Sequence, residues 1–507
     1  CRDITLVALN SLSHYNIGLN RMPGTAILKI KDEVNLKIEG LELDARRALM
    51  KKFEYEVPGA RYMPSVKLGR WNGKVSYCSL AGSTFINLLP EIVPILEGLN
   101  YHIELEDLRE YQTSFDFDEV TIETFKDVKW PKGHVCEGQP IELRDYQVEV
   151  INQFLANPQS IQEVATGAGK TIMTAALSKS VEAYGRSIVI VPNKSLVTQT
   201  EEDYVNLGLD VGVYFGDRKE YGKQHTICTW QSLNILLKNT KRGEVDCTIS
   251  EFIEGVICVM VDEVHMAKAD ALKQLLTMVM PHVPIRWGLT GTIPKAQYER
   301  TALEVSLGPV INKLSAKELQ DQGVLAKCHV NIVQLQDEQE FSNYQSELKH
   351  LLSDEKRLDK MAHLIKTIAT EGNTLVLVDR INAGHALVER LDDAVFVSGG
   401  MKVVDRKEEY DDVATSTNKI IIATYGVAST GINIPRIFNL VLLEPGKSFV
   451  RVIQSIGRGI RKAEDKDFVQ IWDLTSSCRF AKRHLTQRKA FYREANYPFV
   501  VEKLKYK

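Results

Sequence analysis

The sequence predicts an α/β protein, with two tandem lobes built on parallel sheets behind a small N-terminal α/β domain. Three observations predict it. After about residue 140, short apolar runs alternate with amphipathic helical stretches, the pattern of βα units. The runs are apolar throughout, as expected of strands buried on both faces. The series then starts again near residue 330, which calls for a second sheet.

In the first series Ser187–Pro192, Gly255–Asp262 and Trp287–Thr290 read as strands, each ending in a polar loop. In the second, Asn373–Val378, Ala394–Ser398, Lys419–Thr424 and Leu440–Leu443 do the same. Ligands of such sheets bind at the carboxyl ends of the strands, where the polar motifs fall. The acidic stretch Glu104–Glu123 and the Pro-Lys-Gly at 131–133 look like a domain boundary. The expected division is a processed or non-native leader at 1–21, with Met22 as a natural start, and a small nucleic-acid-binding domain at 22–125. A first lobe at 126–327 and a second at 328–507 with a basic C-terminal extension complete it.

A chain of 507 residues, 44% hydrophobic and 25% charged, can bury real cores in about three or four domains. No window approaches the roughly 20 consecutive apolar residues of a membrane span. The first residues lack the basic region, apolar run and cleavage site of a signal peptide, so a cytoplasmic protein with no membrane partner is expected. The eight cysteines are scattered without a CxxC pair, unlike a zinc site or a disulfide scaffold. A net charge of −3 gives no bulk support for nucleic-acid binding. The tail after Arg479 is locally basic, which suits either a phosphate-binding surface or a solvated helix face.

The strongest single signal is Ala165-Thr166-Gly167-Ala168-Gly169-Lys170-Thr171, followed by a good helix. Backbone N–H groups of a glycine-rich loop at a helix start can wrap phosphates closely. Lys170 would then reach the β- and γ-phosphates of ATP, and Thr171 would ligate Mg²⁺. The full phosphate-loop pattern has glycine at position 164, where this chain has Val164. Asp262 and Glu263 close an apolar strand. Alone such a pair is a polar strand end, but below a phosphate loop Asp262 suits the metal and Glu263 the attacking water. Ahead of the loop, Gln147 could pair with an adenine edge, with Tyr146 or Arg144 stacking on the ring. Far downstream, Gln454-Ser-Ile-Gly-Arg458-Gly-Ile-Arg461 puts two arginines three residues apart, on one face if helical. Their fixed charge suits phosphate oxygens.

Taken in order, Gly-Ala-Gly-Lys-Thr, Asp-Glu-Val-His265, Leu-Thr290-Gly-Thr292, Ala-Thr424-Tyr425-Gly through Ser-Thr-Gly431-Ile-Asn433, and the arginine motif resemble the superfamily 2 helicases over about residues 140–475. The resemblance implies two RecA-like lobes with ATP between them and nucleic acid across both. It implies that Gln147 reads adenine and that Arg144, Tyr146, Thr166, Gly167, Ala168, Gly169, Lys170 and Thr171 line the nucleotide, with Gly431 and Asn433 contributed by the second lobe. Lys170, Asp262, Glu263, Gln454, Arg458 and Arg461 would be catalytic, with Arg461 the better candidate for the finger. Thr290, Thr292 and His265 would couple the two sites.

Pro192-Asn193-Lys194 and Thr229-Trp230-Gln231 resemble the family's backbone-gripping motifs, with Thr424 and Tyr425 beside the track in the second lobe. Such groups hold phosphates without reading bases. Phe449, Val450 and Arg451 would lie near the same strand.

Asp-Glu-Val-His looks more like the DNA-directed branch than the RNA-directed one. The front segment, with Arg70, Trp71 and Lys74, resembles the leading domain of bacteriophage UvsW-type recombination helicases. Trp71-Asn-Gly-Lys is also a tight-turn signal, and a hairpin with Trp71 in the core is the plainer reading. The resemblance implies an ATP- and Mg²⁺-dependent DNA motor, monomeric on DNA and in the host cytoplasm if phage-encoded. It would drive branch migration, fork reversal and unwinding on forked, four-way or duplex DNA. The rivals are a duplex translocase that separates no strands and a DNA-binding scaffold switched by ATP. No nuclease signature is evident, so no cutting is expected.

Overall fold

The computed structural model describes residues 24–110, 114–130, 138–165, 168–192, 194–243, 247–264, 269–324, 327–397, 416–425, 437–446, 468–494 and 497–505. They fall into two compact units. One comprises the described residues of Cys1–Val164 and Gly169–Lys313, and the other those of Ala165–Ala168 and Leu314–Lys507.

The first unit opens with six strands: β1 (Gly24–Ile30), β2 (Asn35–Glu39), β3 (Glu54–Glu56), β4 (Lys74–Ser76), β5 (Ser83–Phe85) and β6 (Tyr101–Asp107). β1 and β2 are antiparallel, with Ile30 opposite Leu36, and β6 runs parallel to β1. The resulting sheet has the order β5-β2-β1-β6. Alternation drives it: Ala26, Leu28, Ile30, Leu36 and Ile38 all point to one buried face. Asp32 builds the β1–β2 turn, its Oδ1 accepting from the N–H groups of Val34 (2.9 Å) and Asn35 (2.7 Å).

The core of this sheet is shared with the first lobe. Its cluster includes Tyr298, Ala302 and Val305 from the helix Gln297–Leu307, and the Tyr77 hydroxyl donates to Tyr298 O at 3.0 Å. The segment after the sheet also lies on the first lobe. Phe117 packs on Tyr184 and Trp287, and Phe125 is buried. The expected boundary at 125/126 is therefore not a break in packing. Nor is Trp71-Asn-Gly-Lys the turn of a simple hairpin. β4 pairs with β3, and residues 57–73 between them form the short helices Ala60–Tyr62 and Pro64–Lys67.

The first lobe is built on β7 (Gln159–Val164), β8 (Arg186–Val191), β9 (Val211–Phe215), β10 (Arg218–Lys219), β11 (His225–Thr229), β12 (Val256–Asp262), β13 (Ile285–Thr290) and β14 (Val310–Leu314). Their order is β10-β9-β11-β8-β12-β13-β7-β14. The run from β9 to β7 is parallel, and β13 is buried at every position. Arg286 sits inside it, where its guanidinium donates to the carbonyls of Ser306, Met280, Val283 and Leu276. Burial pulls its pKa down to about 10.

The second unit holds β15 (Lys327–Leu335), β16 (Thr374–Val378), β17 (Val395–Val397), β18 (Ile420–Thr424), β19 (Asn439–Leu443), β20 (Phe468–Ser476) and β21 (Phe499–Leu504), in the order β17-β18-β16-β19-β20-β15-β21. The basic tail is part of this lobe. β21 pairs in parallel with β15, and Arg488 on the helix Arg479–Glu494 is buried in a two-pronged pair with Asp473 (2.8 and 2.9 Å). That guanidinium belongs to the core and is open neither to phosphate nor to solvent. Among the described residues no helix is long and apolar enough to cross a membrane.

Candidate active site

Three neighbouring strand ends build the site. β12 pairs with β13, Asp262 opposite Leu289, and β13 pairs with β7, Thr290 opposite Glu163. The chain leaves β7 and enters the helix Lys170–Val181 through Gly169, whose φ of 82° is left-handed. A Cβ at Gly169 would lie 2.6 Å from Gln147 Nε2. The left-handed backbone favours glycine here, and any side chain would also push the Gln147 amide aside.

Lys170 is the first residue of that helix, and its Nζ lies 2.8 Å from Glu263 Oε1 and donates to Val164 O at 3.3 Å. Glu263 itself has a left-handed φ of 49°. Its N–H donates to Asp262 Oδ1 (2.9 Å), and its Oε2 accepts from Gly291 N (3.4 Å). An ordinary side chain in that region is strained and persists only where its surroundings fix it. Burial raises the Asp262 carboxyl well above the usual carboxylate range, and the Glu263 charge adds to this. Burial alone would lower the Lys170 ammonium, but the Glu263 and Asp262 carboxylates outweigh it and keep its pKa raised.

Gln147 is buried at the start of the helix Asp145–Ala156, its Oε1 accepting from Arg144 N at 2.9 Å. Tyr146 is only 6% exposed and its hydroxyl accepts from Arg144 Nη1 (3.2 Å). Of the two rivals for stacking on a base, Arg144 is the one with an open surface. Thr290 is buried on β13 and donates to Thr292 O (2.8 Å), while Thr292 N donates back to it (3.3 Å). Ala168 is buried and Thr171 half-buried at the same loop.

The expected backbone-gripping residues also converge, because β8 and β11 are parallel neighbours with Val191 opposite Thr229. Gln231 Nε2 donates to Pro192 O at 3.4 Å, and Lys194 is exposed. Two assignments change. The Thr229 hydroxyl caps the helix Trp230–Arg242, accepting from Ser232 N (3.2 Å), and such a cap contributes about 1 kcal/mol to the helix. Trp230 packs half-buried on the lobe core. That leaves Lys194 and Gln231 as the surface groups of these motifs.

In the second unit Tyr425 is 3% exposed, its hydroxyl donating to Leu443 O (3.4 Å), so its ring is core; Thr424 is half-buried at the end of β18. In the front sheet Arg70 is exposed. Trp71 Nε1 donates to Lys74 O (2.8 Å), and Lys74 Nζ pairs with Glu54 (3.1 Å). Thr166, Gly167, Asn193, His265, Gly431, Asn433, Phe449, Val450, Arg451, Gln454, Arg458 and Arg461 lie outside the described residues. Sequence reasoning missed the Gly291 N–H and the Val164 carbonyl, since backbone groups leave no residue signature.

Residues 140–295 match the family of type III restriction enzyme res subunits, and residues 356–463 match the helicase conserved C-terminal domain. An ATP-dependent DNA helicase of Enterobacteria phage T4, uvsW, is 25% identical over 466 residues, which cover 87% of this chain and 88% of that protein. The chain belongs to the superfamily 2 helicases. As a member it is an ATP-hydrolysing enzyme, and both partners of the Lys170–Glu263 contact fall within the matched residues 140–295. A DNA 3'-5' translocase of Sulfurisphaera tokodaii, XPB2, is 25% identical over 240 residues, 46% of this chain and 51% of its own length. In fold, this helicase is similar to an ATP-dependent type ISP restriction-modification enzyme, LlaBIII. The TM-score is 0.55 at 16% identity, covering 80% of this chain and 33% of that one.

Proposed function

We propose that this chain is an ATP-driven DNA motor that remodels branched DNA, by branch migration, fork reversal and unwinding of short arms. The observation that carries the reading is the Lys170–Glu263–Gly291 constellation, which links a phosphate loop, a water-orienting carboxylate and the loop bearing Thr290 and Thr292. The similarity to the T4 helicase across 87% of the chain supports the branched substrate.

The residues fit a magnesium nucleotide. Gly169 leaves a cradle that a Cβ would close, the helix beginning at Lys170 presents its N–H groups, and two carboxylates stand opposite a cation. Thr171 and Asp262 would hold Mg²⁺, which when bound neutralises charge on the β- and γ-phosphate oxygens. Lys170 exchanges Glu263 for phosphate oxygens, and the released carboxylate orients the attacking water and takes its proton. Gln147, with Arg144 beside it, holds the base. By the family resemblance, Gly431 and Asn433 would contribute to nucleotide binding, and Gln454, Arg458 and Arg461 would act on its phosphates. An arginine so placed is worth about 10³–10⁵ in rate. Thr290, Thr292 and His265 pass the change to the strand held by Lys194 and Gln231, with Arg70 on the front sheet offering a further phosphate contact.

A duplex translocase that separates no strands is the second reading, favoured by the match of residues 140–295 to a restriction-enzyme family. Unwinding of forked, four-way and linear duplexes in ATP and Mg²⁺ tests both. Preferential opening of forks and junctions is expected. Triplex displacement on plain duplex without strand opening would favour the translocase, and a preference for single-stranded RNA would end the DNA reading.

A further inference from the structure

A cleft of about 430 Å³ lies between the β9–β10 turn and the helix Trp230–Arg242, toward the lower end of the roughly 300–1,000 Å³ of small-ligand sites. One wall is aromatic. Tyr214 is 5% exposed and fixed against Phe252 (4.9 Å between ring centres), while Tyr221, 5.7 Å from Tyr214, is 42% exposed. The opposite wall is the helix face carrying Ser232, Ile235 and Asn239. Ile235 is 58% exposed, an apolar side chain left at the mouth. Among the described residues no carboxylate lines the cleft, and Lys219 does. Its neighbour Arg218 is taken up by Glu201 and Glu220, whereas among the described residues no ion pair takes up Lys219.

The cleft adjoins the groups assigned to the DNA backbone. Ser232 lines it and also closes the Thr229 cap. Lys194 Nζ lies 3.3 Å from the point a Cβ on Gly216, another lining residue, would occupy. A strand whose phosphates rest on Lys194 therefore passes the mouth of a slot with an open ring, an apolar edge, an amide and a spare cation. That set suits a nucleobase. Every base has a face to stack on tyrosine and an edge for an amide, and its phosphate favours lysine.

We propose that this cleft receives one unstacked base of the strand held by the first lobe. Tyr221 stacks on it, Asn239 meets its edge and Lys219 takes the adjoining phosphate. The proposal rests on the DNA-motor reading and adds a step to it, since a base withdrawn from the stack is a base withdrawn from its partner strand.

The test uses the full chain and single-stranded deoxyoligonucleotides carrying 2-aminopurine at successive positions. One position in the footprint should quench on binding. Tyr221→Ala should restore its emission and weaken affinity about tenfold, the loss expected for one base–aromatic stack. Tyr221→Phe should keep both. Should Tyr221→Ala unfold the lobe, Ile235→Glu puts a carboxylate at an exposed position of the mouth and should weaken binding similarly. Unaltered affinity and quenching in Tyr221→Ala or Ile235→Glu would overturn the proposal. Lys194→Ala separates the two readings. If it weakens binding while the cleft variants do not, the cleft alone is wrong; if none weakens it, the path of the strand is wrong as well.

Discussion

Lys170 Nζ lies 2.8 Å from Glu263 Oε1, so the cation at one helix start and the carboxylate beyond one strand end meet at a single point. Glu263 is held there by an uncommon left-handed backbone and by the Gly291 N–H. If its carboxylate prepares the attacking water, Glu263→Gln keeps the shape and removes the base. ATP turnover should fall at least about 10²-fold, with the affinity for a fluorescent ATP analogue changed little. Equal losses in both would mean the residue serves binding only.

Gly169→Ala should act through a neighbour. The backbone there is left-handed, and the new methyl would meet Gln147 Nε2 at 2.6 Å. Displacing the Gln147 amide should raise KM for ATP about tenfold and erode discrimination between ATP and GTP. Steady-state kinetics with both nucleotides checks this, and an unchanged ATP/GTP ratio would separate Gln147 from base reading.

Part of each sheet was legible because many buried parallel strands are mostly apolar, and β8, β12, β13, β16, β18 and β19 follow the expected runs. By contrast, β7 and β11 are buried but rich in polar residues and gave no such run. The convergence of Lys170 with Glu263 was legible because glycine, lysine and paired carboxylates at strand ends have few other uses. What stayed hidden was the partner of each side chain. Tyr298, Ala302 and Val305 read as an ordinary apolar helix face, and nothing in their spacing says that they complete the front sheet. Arg488 reads as a solvated cation because its mate, Asp473, is a polar position inside a distant strand. Thr229 could hold a phosphate or cap a helix with the same hydroxyl, and sequence alone does not choose.

Thr290→Val removes the hydroxyl that ties Thr290 to Thr292 while keeping the buried volume. Fork unwinding should fall about tenfold, the size of a coupling change of 1–2 kcal/mol, and ATP turnover on the same DNA should fall much less. Parallel loss of both rates would place Thr290 in hydrolysis and not in coupling.

Asp203 provides a pH test in the helix Lys194–Asn206. Burial, with a smaller push from Glu202, raises its carboxyl from the ordinary 3.8 to about 6. An acid raised in the folded state binds more protons folded than unfolded between those values, so stability falls as pH rises through that window and the loss is complete above it. Asp203→Asn should therefore raise Tm by a few degrees at pH 8, with the difference vanishing toward pH 4. Equal Tm values at pH 8 would contradict the assignment.

The most direct test of the motor is steady-state ATP hydrolysis with and without forked DNA, in the unaltered chain and in Lys170→Ala. Forked DNA should stimulate the unaltered chain, and the substitution should lower the stimulated rate at least about 10²-fold while fork affinity stays nearly unchanged. Undiminished turnover in Lys170→Ala would mean that hydrolysis happens elsewhere.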